Sequence, residues 1–286
     1  KAPPPARPQP MDRTNPFDRY EFPIKLILAD LDGTITADEL KPLDCQGLGV
    51  LKRYNDLSRR EGDRTFPPIS LVTGRPHSYL EAFARFIGTP LPSLFESGCG
   101  IHLPGRPLGR EYIFHPVLAN PRISEALARF RAWADEELVL KRGAGVIIGK
   151  KYSLSFAASD RCPVEELLDA ARDMPPDLAP LFFVTRSVGV VDVTPRPIDK
   201  GFGLEWLLTY LRDDRGFDAG TANVVGVGDS YNDLPFLRKV GKACAVPAAA
   251  AAVRQEVDYV AARAAAEGVA EIAELAAALN RRLGYR

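Results

Sequence analysis

Residues 24–30 read Ile-Lys-Leu-Ile-Leu-Ala-Asp, a nearly unbroken apolar run that ends on a carboxylate. A run of that length without polar alternation suits a strand covered on both faces, as in a parallel sheet. Parallel neighbours cannot be joined by tight hairpins, so the chain that follows must supply crossover helices. It does so twice. Leu48, Leu51, Tyr54 and Leu57 recur at helical spacing up to about Gly62, and residues 68–73 then form a second buried-strand candidate closing on Thr73-Gly74-Arg75. Leu80, Phe83 and Ile87 mark another helix, and a short strand ends at Glu96-Ser97-Gly98. Strand and helix in alternation predict an α/β fold, a Rossmann-like doubly wound parallel sheet.

The middle of the chain breaks this rhythm. A helical stretch over residues 121–137 carries Ile123, Leu127 and Phe130, and is followed by extended segments at about 138–148 and 151–156. A helix at about 164–172 precedes strands at 181–185 and 188–193. Helix-strand-strand, repeated, predicts a small α+β module with an antiparallel sheet. The first pattern resumes after Pro195. Leu204, Leu207, Leu208 and Leu211 line a helix opening at Lys200, then come a strand over 223–229, a helix from Asn232, a strand near 243–246 and an Ala-rich helix after Pro247. The expected organisation is a core built from residues 21–116 and 195–286, with residues 117–194 inserted as an α+β cap. The first ten residues contain five prolines, and residues 1–20 are expected to form an extended or disordered tail.

Charge and cysteine content exclude several roles. Lys plus Arg and Asp plus Glu both number 37, a balance that argues against general nucleic-acid affinity or a polybasic membrane anchor. No apolar run reaches the eighteen or so residues of a bilayer span, and no hydrophobic leader is read. Cys45, Cys99, Cys162 and Cys244 show no paired spacing, so neither a zinc site nor a disulfide framework is expected and a reducing, cytoplasmic setting is the default. His77, His102 and His115 show no ligand spacing either.

Three strand ends carry polar residues: Asp30-Leu31-Asp32-Gly33-Thr34, Thr73-Gly74-Arg75, and Gly228-Asp229-Ser230-Tyr231-Asn232-Asp233. In an open α/β sheet the carboxyl ends of the strands meet at one crevice. Convergence would bring Asp30, Asp32, Asp229 and Asp233 close together, and like charges so near cannot all ionise without a cation. Oxygen-only ligands select a hard ion, and Mg²⁺ is the expected one. Taken singly, Asp-x-Asp-Gly is a common turn and a lysine opening a helix is a common surface charge. Their joint occurrence, each at the end of an element, is what points to a site.

In these segments the chain resembles the haloacid dehalogenase superfamily of phosphoryl-transfer enzymes. Asp30 to Thr34 is similar to its first motif, Thr73 to its second, Lys200 to its third, and Gly228 to Asp233 to its fourth. The insert, placed between the second and third, resembles the cap of the Cof-type and sucrose-phosphatase-like branch, mostly sugar-phosphate phosphatases. The resemblance implies Asp30 as nucleophile, Asp32 as acid and base, Thr73 and Lys200 as partners of the phosphoryl oxygens, and Mg²⁺ held by Asp30, the backbone carbonyl of Asp32, Asp229 and Asp233. Gly33 would let the backbone approach the phosphate and Thr34 would hold the turn. Gly74, Arg75, Ser97 and Asn232 are carried over as substrate neighbours, with Ser97 standing where relatives usually have asparagine. Four basic residues, Lys141, Arg142, Lys150 and Lys151, cluster in the cap. Arg142 and Lys151 are taken as candidates for a second anionic group, against the plainer view of a solvated rim.

The expected function is a Mg²⁺-dependent phosphatase of a small phosphorylated metabolite, a sugar phosphate or sugar-acid phosphate such as phosphoglycolate, acting as monomer or homodimer without nucleic-acid or membrane partners. Rivals are a phosphomannomutase-like phosphotransferase and a non-catalytic protein binding a phosphorylated ligand. A carbon–halogen hydrolase is disfavoured, since it would give Asp32 and Asp233 little to do.

Overall fold

A computed structural model describes residues 15–37, 42–60, 62–187 and 189–285. The proline-rich start and Val188, read as the beginning of a strand, lie outside them.

The first half of the core supplies β1 (Leu26–Ala29), α1 (Cys45–Ser58), β2 (Ile69–Leu71) and α2 (His77–Phe86). Asp44 opens α1 by accepting a hydrogen bond from the Gln46 amide, the usual way to satisfy a free N–H at a helix start. Short strands then follow: β3 (Ser93–Phe95), β4 (Gly100–His102) and β5 (Tyr112–Phe114). They form a separate antiparallel sheet, tied to the β2 end through a single parallel bridge between Val72 and Leu94. The sequence reading places a strand before Glu96 but not the two after it. Each is three residues long, and Gly and Pro punctuate the segment between them, so no alternation is long enough to read.

Residues 117–194 contain α3 (Pro121–Ala134), β6 (Gly145–Val146), β7 (Leu154–Ala157), α4 (Val164–Arg172) and β8 (Phe182–Arg186), with β9 (Val190–Pro195) running one residue past their end. The four strands form an antiparallel sheet in the order β6-β7-β9-β8. One expectation is corrected. Residues 138–140, read as extended, continue α3 as a π-helical stretch, Asp135–Leu140, with Leu138 turned into the core of the insert. Leu138 lies eight residues past Phe130, so it also fits the helical repeat of that face.

The second half of the core supplies α5 (Lys200–Arg215), β10 (Val224–Gly228), α6 (Leu234–Leu237), β11 (Lys242–Ala245), α7 (Ala251–Glu256), β12 (Tyr259–Val260) and α8 (Ala265–Arg282). Asp199 caps α5 through the Phe202 amide, and Gly216 ends it in the left-handed conformation, where a residue without Cβ pays no steric cost. The single Ala-rich helix expected after Pro247 is two helices with β12 between them.

The central sheet has the order β12-β11-β10-β1-β2, with every pairing parallel. Its strands alternate sides. Ile27 and Ala29 join α1, α2 and α8 in one apolar cluster, whereas Leu26 and Leu28 join α5, α6 and α7 in another. Helices on both faces of a parallel sheet make a doubly wound α/β fold. A third apolar cluster is drawn from residues 126–193 alone. No helix among the described residues is long and apolar enough to cross a membrane.

Candidate active site

Register explains why the motifs meet. Ala29 lies opposite both Leu71 and Val227, so the residues just beyond β1, β2 and β10 emerge at one edge of the sheet. Asp30 follows β1, Thr73 follows β2 and Asp229 follows β10. Lys200, first residue of α5, reaches the same edge from one face of the sheet.

Asp30, Asp229 and Asp233 offer carboxylate oxygens within 4.8 Å of one another, and all three residues are buried. Lys200, 1% exposed, donates to Asp30 Oδ1 at 2.8 Å and to Asp233 Oδ1 at 2.6 Å. The other oxygen of Asp233 accepts from the amides of Asp229 and Ser230, both at 3.0 Å. Thr34 donates its hydroxyl to Asp229 Oδ1 at 2.7 Å. Gly33 sits at φ +83°, and a Cβ there would fall 2.4 Å from Asp229 Oδ2. Only glycine combines that backbone conformation with so close an approach.

Burial, then the neighbouring Asp233, pushes the Asp30 carboxyl well above the usual carboxylate range. The same two causes, in the same order, push Asp229 up to about 7. Burial alone would lower Lys200, but Asp233 and Asp30 more than offset it and hold the ammonium above its ordinary value. Three buried carboxylates against one ammonium leave an uncompensated negative charge, which a cation satisfies. The donors are all oxygen, the set that suits a hard divalent ion such as Mg²⁺.

The Asp32 carboxylate stands apart from this cluster. Arg75 holds it with two hydrogen bonds, Nε to Oδ2 at 2.7 Å and Nη2 to Oδ1 at 3.1 Å, and the guanidinium also lies 4.9 Å from the Tyr79 ring. The Arg75 amide donates to Thr73 Oγ1 at 3.1 Å, which leaves the threonine O–H to donate elsewhere. Asp30, Asp32, Thr73, Gly74, Arg75, Lys200, Ser230 and Asn232 line one cleft, and the insert closes it with Ile147, Lys150, Ser187, Val190 and Asp192.

Several residues carried over from sequence are not brought to that cleft. Gly33 and Thr34 brace Asp229 from behind. Ser97 is buried and ties its amide to the Thr73 carbonyl at 2.9 Å. Arg142 folds back on the Glu137 carbonyl at 2.6 Å, close to where the π-helical stretch ends. Lys151 lays its ammonium over the rings of Phe114 and Tyr152, 4.9 and 5.2 Å from their centroids. Lys150, its neighbour in the same basic cluster, is the cation that faces the cleft.

Glu96 has a role that sequence reasoning missed. It is 1% exposed and its carboxylate accepts the backbone N–H groups of Lys151, Tyr152 and Ser153 at 2.9, 2.8 and 2.9 Å. Glu96 and Ser97 both adopt positive φ, 47° and 56°. The turn that strains them aims one carboxylate of the core at three amides of the insert. In the sequence the signal is an acid at the head of Glu96-Ser97-Gly98, and it names no partner.

A profile of the haloacid dehalogenase-like hydrolase family matches residues 156–272, a span that includes Lys200, Asp229 and Asp233. Over that span the chain is similar to the haloacid dehalogenase-like hydrolases. It is 26% identical over 254 residues to a phosphoglycolate phosphatase of Methanothermobacter thermautotrophicus, covering 87% of this chain and 96% of that protein. It is 27% identical over 255 residues to a phosphoglycolate phosphatase of Methanothrix thermoacetophila, covering 87% and 95%. Among solved structures, it is similar to the sucrose-phosphatase of Synechocystis in complex with sucrose and phosphate, with TM-score 0.61 and 20% identity over 89% of this chain and 98% of that one. It is also similar to Thermoplasma acidophilum 0175, with TM-score 0.64 and 16% identity over 93% and 100%. Both likenesses are of fold, a parallel α/β core carrying an α+β insert.

Proposed function

We propose that this haloacid dehalogenase-like phosphatase hydrolyses a small phosphorylated metabolite, a sugar phosphate or a short phosphorylated acid such as phosphoglycolate, with Mg²⁺ as its ion. The observation that carries the reading is the joining of Asp30 and Asp233 by the buried Lys200 ammonium at the floor of a cleft lined by Thr73 and Arg75. Bound by Asp30, Asp229 and Asp233, Mg²⁺ would offset the repulsion between a carboxylate and a phosphoryl group.

The side chains then divide the work. Lys200 orients the Asp30 carboxylate for in-line attack and balances charge without moving a proton. As the Asp30 oxygen bonds to phosphorus, the bond to the leaving oxygen breaks and that oxygen takes a proton from Asp32. Water then attacks the aspartyl-phosphate, gives its proton to Asp32 and frees Asp30 and inorganic phosphate. Thr73 donates its hydroxyl to a phosphoryl oxygen. Because Arg75 holds Asp32 in two bonds, an incoming phosphoryl group competes for the guanidinium, and that competition frees Asp32 to exchange its proton.

The names of the relatives from Methanothermobacter and Methanothrix support the short acid among the candidate substrates. The test is phosphate release from a panel of phosphorylated sugars and acids, with Mg²⁺ and with chelator. Metal-dependent release from at least one ester is expected. Silence toward every ester across pH 5–9 with Mg²⁺ present would remove the proposal.

A further inference from the structure

Of the five residues by which the insert closes the cleft, Ile147 and Val190 are aliphatic and Ser187 carries a hydroxyl. The other two, Lys150 and Asp192, are an ion pair at 3.2 Å whose side chains are only 5% and 9% exposed. The buried Ser155 completes the group, accepting from the Lys150 ammonium and donating to Asp192 Oδ1. A buried ion pair stabilises a fold little more than aliphatic residues of the same volume, and often less. Packing alone would have been served by more residues like Ile147 and Val190. An ammonium has three N–H donors; Ser155 and Asp192 accept two, which leaves one for an occupant of the cleft.

We infer that Lys150 is a specificity-determining residue that binds the carboxylate of a short phosphorylated acid whose phosphoryl group lies at Asp30. This rests on the phosphatase reading and narrows it to a substrate class. The chemistry of the wall separates acids from sugars. Each buried sugar hydroxyl needs a hydrogen-bonding partner, and among the described residues of the insert that line the cleft, only Ser187 offers one beyond the ion pair. A two- or three-carbon acid brings one anionic end and a short linker, which match the ammonium and the aliphatic pair.

The position of Lys150 is fixed from the core. The residues that follow it, Lys151, Tyr152 and Ser153, are those whose amides the Glu96 carboxylate holds. Ser97, next to Glu96, is bonded through its amide to the Thr73 carbonyl. A backbone hydrogen bond and the Glu96 carboxylate thus link the phosphoryl end of the cleft to the base of Lys150, and Asp192 and Ser155 aim its ammonium.

The experiment compares kcat/KM for phosphoglycolate and for 2-hydroxyethyl phosphate, an ester of equal length without the carboxylate, in wild type, Lys150→Met, Lys150→Arg and Lys150→Met/Asp192→Asn. Lys150→Met is expected to raise KM for phosphoglycolate at least tenfold more than for 2-hydroxyethyl phosphate, with the loss in KM rather than kcat. Lys150→Arg should recover part of the preference. The double variant leaves no unpaired buried carboxylate, so it folds where Lys150→Met fails to, and it should show the same loss. Equal changes for both esters, or a wild type that prefers 2-hydroxyethyl phosphate, would overturn the assignment of Lys150 and leave the phosphatase reading standing. A wild type inactive on both esters but active on a sugar phosphate would do the same. Inactivity toward every phosphate ester would overturn both.

Discussion

The floor and the wall of one cleft are charged on opposite plans. On the floor, Asp30, Asp229 and Asp233 surround Lys200, three carboxylates to one ammonium. On the wall, Lys150 and Asp192 stand one to one. Burial, and after it the neighbouring Asp233, makes Asp30 and Asp229 hold their protons well above the usual carboxylate range. The wall neutralises itself. Unbalanced charge marks where an ion and a reacting phosphorus would be held, whereas balanced charge leaves a directional donor that chooses among substrates.

The sharpest way to break the comparison is to neutralise the floor at its centre. Asp30→Asn is expected to lower phosphate release by on the order of a thousandfold or more, because it removes the carboxylate that would attack phosphorus. Far-ultraviolet circular dichroism should be unchanged; retention of a tenth of the activity would place the nucleophile elsewhere. Among the described residues Lys200 is the only cation touching Asp30 and Asp233, and Lys200→Met strands buried charge at a cost of about 3–5 kcal/mol. Urea unfolding should show it, and added Mg²⁺ should recover a part. The same substitution logic applied to the wall, through Lys150, should cost selectivity instead.

The link between floor and wall is Glu96. Glu96→Gln keeps the shape but loses the charge that three amides share, an expected cost of about 1.5–3 kcal/mol. Hydrogen exchange at Lys151, Tyr152 and Ser153 should quicken while exchange in β1 and β10 stays slow. Uniform quickening would show that Glu96 supports the whole fold and not this junction.

Proton and ion compete for the floor. Asp229 is raised to about 7 by burial and then by Asp233, so without an ion its contribution favours the folded state at low pH and is lost as pH rises through about 7. Mg²⁺ binding must displace that proton at lower pH. The gain in Tm on adding Mg²⁺ is therefore expected to be larger at pH 8 than at pH 6; an equal gain would count against Asp229 as a ligand. The smallest effect is expected at Lys151, whose ammonium lies over aromatic rings away from the cleft. Lys151→Met should change phosphate release by less than about twofold and stability by about 0.5–1 kcal/mol, the usual worth of such a contact.

Much of the floor was legible in sequence because each of its residues follows an apolar strand or opens a helix. Asp30, Thr73 and Asp229 sit where buried runs stop, and the rule that strand ends share an edge places them together. The insert was harder to read. Residues 138–140 carry apolar side chains compatible with strand or helix, and only the apolar face they complete with α3 decides between them. Strands β4 and β5 are too short to show a period. In the basic cluster from Lys141 to Lys151 the sequence reading favoured Arg142 and Lys151, yet Lys150 lines the cleft, because adjacent positions in an irregular segment carry no rule for which one turns inward.

By itself, then, the amino-acid sequence determined the α/β alternation, the interruption by a helix-strand-strand insert, and the acidic and basic residues of the floor, since hydrophobic period and strand termini are local properties of the chain. Tertiary structure alone decided that Asp32 pairs with Arg75, that Glu96 grips the insert, and that Lys150 rather than Lys151 faces the cleft. Those outcomes depend on which atoms from distant segments come within about 3 Å of one another, and no local pattern along the chain encodes that distance.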